Sequence, residues 1–140
     1  MKADNVTEKE VIGVLNEFAE YYSKKDMTSL MSLFAPDNDV VVYGTEPDEK
    51  KVGSKAIKMI LDRDWSENDN SSIEFNWTSI SAAGPVSWAA ADACLKINVG
   101  GQNLIFPSRI TSVLEKRGDK WLIVQGHFSF PYLRQPLKFF

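Results

Sequence analysis

Three polar residues stand in surroundings where their types could do chemistry. Asp92 sits inside the apolar run Ala89-Ala90-Ala91-Asp92-Ala93-Cys94-Leu95, and burying a lone carboxylate costs several kcal/mol unless a cation pairs with it. Arg109 lies in the next β-type run and is the natural partner, with a guanidinium able to hold a ligand carboxylate or carbonyl by two hydrogen bonds. The same two residues could equally form a structural ion pair or lie on the wet side of a sheet. His127 is the sole histidine, and an imidazole titrating near neutrality suits a general base. The competing reading is a structural histidine at a sheet end, because no Ser, Cys or acidic residue is placed beside it by the sequence. Asp92, Arg109 and His127 are thus the candidate catalytic residues. With one His and one Cys, and no metal-ligand spacing among the carboxylates, no metal or other cofactor is expected.

Flat apolar walls for a binding cavity come from Tyr43, Trp65, Trp77, Trp88 and Phe128, each of which could equally be plain core. Together with Asp92 and Arg109 they make up the candidate ligand-binding set. Its ligand is expected to be a small apolar or aromatic molecule carrying a polar or carboxylate group.

The elements that must position these residues are legible from period and punctuation. Thr7 and Glu10 form a capping-box pattern, followed by Val11, Val14, Leu15, Phe18, Ala19 and Tyr22 at helical spacing. Asp26 caps a second, short helix with Met27, Leu30, Met31, Leu33 and Phe34 on one face, halted by Pro36. Residues 39–43 read as a short strand and 44–53 as a surface loop. Ser54 caps a third helix with Ile57, Ile60, Leu61 and Trp65 on one face. Four long strands follow, over residues 73–81, 86–99, 104–116 and 121–130, separated by turns at Gly84-Pro85, Gly100-Gly101 and Gly118-Asp119.

Three helices followed by four antiparallel strands predict an α+β fold, with the helices packed over one face of a single sheet. Strands this long must twist and curl to stay packed. The expected shape is a cone: a curved antiparallel sheet, a cystatin-like roll, with the three N-terminal helices over its concave face. A cone has an inside, which suits a small molecule. The uncovered face of such a sheet is apolar and predicts a homodimer.

Hairpin parity then assigns the faces. An even loop between the last two strands puts Arg109, Thr111 and Val113 on one face with Val124, Gly126 and Phe128, and Ser108, Ile110 and Ser112 on the other with Gln125, His127 and Ser129.

Composition narrows the partners. The chain has 140 residues, 44% hydrophobic and 25% charged, with a net charge of -3, which describes one ordinary globular domain spanning 1–140. The densest basic cluster, Lys50-Lys51 with Lys55 and Lys58, is interleaved with Asp48, Glu49 and Asp62. The footprint of a nucleic-acid binder is missing. No run of eighteen apolar residues exists and the N-terminus lacks a leader-like apolar stretch, so neither membrane spanning nor secretion is expected. Cys94 is alone in an apolar run, which predicts a buried, reduced thiol and a cytoplasmic home.

The order of elements, with Tyr22-x3-Asp26-x3-Leu30-x3-Phe34-Ala35, Val52-Gly53-x3-Ile57 and Gly118-x2-Trp121-x5-His127-x-Ser129, resembles the nuclear transport factor 2-like superfamily over about residues 7–131. The last motif is most similar to the SnoaL-like branch, and it also resembles the association domain of calcium/calmodulin-dependent kinase II. This resemblance implies a cone-shaped fold whose relatives include isomerases, cyclases, dehydratases, transport factors and assembly domains, so it does not by itself imply one activity. Ketosteroid isomerases of this fold use a carboxylate base and an oxyanion hole of a tyrosine and a protonated aspartate. Carried onto this chain, those positions fall on Phe18, on Tyr43 or Gly44, and on Arg109, so that mechanism is not expected. The resemblance also places the Arg109 and Phe128 face inside the cone and turns His127 outward. Two functions follow as expectations: a small-molecule-binding domain, as a cofactor-free isomerase, cyclase or hydrolase, or a non-catalytic association module.

Overall fold

In the computed structural model, which describes residues 1–132, the first apolar stripe folds as helix α1 (Asn5–Lys24) and buries Val11, Val14, Leu15 and Tyr22. Its cap is Asp4, one turn earlier than the Thr7-Glu10 pattern suggests: Asp4 Oδ1 accepts the Thr7 N–H at 2.7 Å and satisfies one of the free donors at the helix start. Lys25 ends the helix in the left-handed region at φ 56°. Helix α2 (Met27–Met31) is capped as expected by Asp26, which accepts the Ser29 N–H at 3.1 Å. Helix α3 (Ser54–Ser66) buries Ile57, Ile60 and Leu61. Its cap is Gly53 at φ 85°, with no side-chain hydrogen bond, and Ser54 is already helical.

Among the described residues the sheet has six strands, β1 (Val41–Tyr43), β2 (Lys50–Val52), β3 (Asn70–Ala83), β4 (Val86–Val99), β5 (Gln102–Arg117) and β6 (Lys120–Ser129), in the order β2-β1-β6-β5-β4-β3. The four long ones, β3 to β6, are joined as an antiparallel meander. Two short strands extend it beyond the four long ones, the first within the short strand expected over 39–43 and the second in the stretch expected as loop. β1 runs parallel to β6, and β2 pairs antiparallel with β1. β2 arises within the polar stretch read as loop, because a three-residue edge strand needs no apolar alternation to pair.

Two bulges bend the sheet. The β3 to β4 register slips between Phe75 and Trp77, leaving Asn76 as the extra residue, and the β5 to β6 register slips at Val124. An extra residue raises local twist and turns every later side chain to the opposite face. The core lies between α1 and the concave face: Val11, Leu30, Leu114 and Ile123 are each at most 4% exposed. Among the described residues no helix is long and apolar enough to cross a membrane.

Candidate functional site

The bulge at Val124 decides which residues can share a site. The hairpin closes on the two residues Gly118-Asp119, the even loop expected, and pairs Leu114 with Ile123. Beyond the bulge Val113 pairs with Gln125, Thr111 with His127 and Arg109 with Ser129. Arg109 therefore joins the His127 face, and Phe128 joins Ile110 on the other. Parity read from the loop alone reaches the opposite pairing, since it carries no account of an extra residue.

Asp92 and Arg109 do not face the hollow. They are directly opposed across β4 and β5, both exposed on the convex side, in one row with Trp77 and Ser129. No ion pair joins them, and neither lines the cavity described below. Trp77 is 55% and Trp88 36% exposed on the same convex side. Cys94, expected to be buried, is half-buried there, with the Asn76 amide 3.5 Å from its sulfur. His127 is exposed, its ring 5.5 Å from that of Tyr43, and it borders a small hollow of about 70 Å³. Trp65 packs behind the cavity against Tyr22 at 5.8 Å and leaves its Nε1 buried without a hydrogen-bond partner. Of the expected lining set only Phe128 and, at the rim, Tyr43 border the main cavity.

That cavity, of about 300 Å³, falls in the size range of small-molecule sites. It lies between α1, α3 and the concave sheet, with walls such as Phe18, Phe34, Leu95, Phe106 and Phe128. Its polar end is built by the helices. The Tyr22 hydroxyl donates to Asp64 Oδ2 at 3.3 Å. Burial, and next the charge of Glu49, push the Asp64 carboxyl up to about 6. Burial, and next the Asp64 charge, push the Tyr22 phenol upward as well. The pair thus combines a carboxylate poised near neutral pH with a phenol that keeps its proton.

Glu49 is 2% exposed and is satisfied locally. Its Oε2 meets the Arg63 guanidinium at 2.7 Å, and its Oε1 accepts the Glu46 N–H at 3.1 Å. Arg63 also forks onto both oxygens of Asp48 at 2.8 and 3.0 Å and holds that carboxyl down to about 2. Gly44 is required here, because a Cβ would run into the Glu49 side chain, 2.9 Å from its Cβ.

Helical spacing puts Tyr22 on the core stripe of α1 and does not by itself mark Tyr22 or Asp64 as site residues. The signal for Asp64 was present: Ile57, Ile60, Leu61 and Asp64 follow helical spacing, so a carboxylate occupies the apolar stripe of α3. That is the same anomaly that drew attention to Asp92, where it led to the wet face.

Comparison with known families fits this architecture. A model of the SnoaL-like domain matches residues 11–133. The chain belongs to the SnoaL-like domain family. Among solved structures, a nuclear transport factor 2-like superfamily protein from Salmonella enterica superposes with a TM-score of 0.84 at 18% identity, covering 99% of this chain and 100% of that one. A type 2 hexachlorocyclohexane dehydrochlorinase gives 0.79 at 12% identity, over 91% and 86%. A candidate calcium/calmodulin-dependent protein kinase II association domain from Xanthomonas campestris gives 0.79 at 20% identity, over 93% and 94%. At these identities the likeness is one of fold. No curated protein matches the sequence.

Proposed function

We propose that this SnoaL-like domain binds a small apolar or aromatic molecule in the helix-roofed cavity and moves a proton on it without a cofactor, in an isomerisation or elimination. The observation that carries this reading is the Tyr22–Asp64 hydrogen bond at the polar end of an otherwise apolar hollow. With its carboxyl near 6, Asp64 is mostly ionised at neutral pH yet still basic enough to take a proton from a weakly acidic C–H or O–H. Tyr22 orients the carboxylate and keeps one oxygen occupied, leaving the other as the base. The dehydrochlorinase of the same fold supports elimination on a small ring as chemistry this scaffold accommodates. Cys94 as a lone free thiol favours a reducing, cytoplasmic setting.

Native mass spectrometry of the purified protein tests the binding. A retained small molecule that a cavity-filling Leu95→Trp variant loses is expected, and equal retention by both overturns the reading.

A second reading concerns the convex face, where Trp77, Trp88 and the unjoined Asp92 and Arg109 lie together. We propose that a second copy of the chain covers it, so that two-fold pairing buries the indoles and brings opposite charges together. In the association-module alternative this face, and not the cavity, is the functional one.

A further inference from the structure

We infer that the cavity has two lobes and takes an elongated ligand: a polar group at Tyr22 and Asp64, a flat body of about two rings, and an apolar tail of about three carbons in a second lobe beyond Phe128. This rests on the small-molecule reading above and adds the ligand's shape.

The hollow of about 70 Å³ that His127 borders adjoins the main cavity of about 300 Å³: Phe18, Phe34, Val42, Tyr43 and Phe128 line both. Helix α1 gives their order. Tyr22, Phe18 and Leu15 follow helical spacing and share one face of α1. Tyr22 borders the larger lobe and not the smaller, Phe18 borders both, and Leu15 borders the smaller and not the larger. From Tyr22 to Leu15, at ~1.5 Å of rise per residue, the polar end and the second lobe lie about 10 Å apart along the helix. An apolar cavity of about 150 Å³ takes a benzene, so on that scale the larger lobe takes about two rings and the smaller about three carbons.

The second lobe exists because one row of the concave face has short side chains. Ala89, Ser112, Gly126 and Val42 are successive register partners across β4, β5, β6 and β1, whereas the next row carries Ile110 and Phe128. Ser112 donates its hydroxyl to the Gln125 carbonyl at 3.2 Å, and the facing walls, such as Leu15, Phe75 and Ile123, are apolar. Nothing in the fold asks for glycine at 126. Its φ lies outside the left-handed region, and a Cβ there would meet nothing nearer than Val42 Cγ2 at 3.9 Å, an ordinary contact. It is paired with both Ser112 and Val42, so it is not the bulged residue. A glycine inside a strand weakens it and, where neither bulge nor bend explains it, marks close approach by another group. The space that Gly126 leaves belongs to the second lobe, which it lines, and the tail of a ligand is the group that fits there.

Two probes of the same body, 2-naphthol and 6-propyl-2-naphthol, are titrated by calorimetry against the full chain, and the ratio of their affinities is read within each protein so that a general weakening cancels. Each methylene moved into an apolar lobe is worth about threefold to fourfold, so the propyl compound is expected to bind the unaltered chain tighter by about tenfold or more. Gly126→Val, which puts two methyl groups into the second lobe from a strand that favours valine, is expected to cut that ratio below about threefold. Gly126→Ala, the gentler change, is expected to lower it by about twofold. Leu95→Trp is expected to weaken both probes. A ratio near one in the unaltered chain, or a ratio kept in either Gly126 variant, overturns the second lobe and leaves the cavity reading standing. Binding of neither probe, or binding that Leu95→Trp leaves untouched, overturns both.

Discussion

Tyr22 and Asp64 are 42 residues apart in sequence and 3.3 Å apart in space, phenol oxygen to carboxylate oxygen. The join is made by the end of α1. Lys25, two residues before α2, turns in the left-handed region and sends its ammonium to the carbonyls of Trp65 and Asn68 at 3.1 and 3.2 Å. Trp65 is in the last turn of α3, where a helix leaves carbonyls unpaired, and Asn68 follows its cap. One lysine thus docks the end of one helix on the end of another and sets the two site residues facing each other.

Asp64 burdens the fold at neutral pH. Its carboxyl titrates near 6 in the native state against 3.8 ordinarily, so between those values the folded protein holds more protons than the unfolded one. Stability therefore falls as pH rises through that window and stays lower above it. Asp64→Asn is expected to stabilise the protein at neutral pH by about 1–2 kcal/mol, allowing for partial solvent exposure. That corresponds to a Tm higher by about 3–6 °C, with the gain gone below about pH 4. Thermal unfolding of both proteins across pH checks this, and identical curves would contradict it.

Lys25 separates backbone strain from hydrogen bonding. Lys25→Met keeps the stem and removes the charged donors to α3, an expected loss of about 1.5–3 kcal/mol. Lys25→Gly removes the same donors but relieves the left-handed backbone, so it is expected to lose about 1 kcal/mol less. Urea unfolding of the two variants gives the difference directly, and a glycine variant weaker than the methionine one would refute the assignment.

The convex face makes its own prediction. Trp88, opposite Val113 and 36% exposed, lies within the proposed contact between copies. Trp88→Glu is expected to convert a dimer into a monomer by light scattering, since a charge buried at a symmetric contact is buried twice. A dimer that persists unchanged places the contact elsewhere.

Much of the architecture was readable because it depends on period and punctuation. The four long strands, their turns at Gly84, Gly100-Gly101 and Gly118, and the stripe of α1 follow from residue spacing alone. The site was less readable. Asp92 and Arg109 were rightly expected side by side, and they are register partners. Whether Phe128 shares their face hinges on one extra residue, Val124, whose side chain gives no sign that it bulges. Tyr22 and Asp64 come from separate helices and meet through a tertiary contact made by Lys25, which no local pattern encodes.

The most direct test is where a ligand touches the protein. Backbone amide NMR shifts recorded while titrating phenylbutanol into labelled protein are expected to move at Phe18, Tyr22, Asp64 and Phe128 and to leave Trp88, Asp92 and Arg109 still. Shifts confined to the convex face around Asp92 and Arg109 would contradict the cavity assignment.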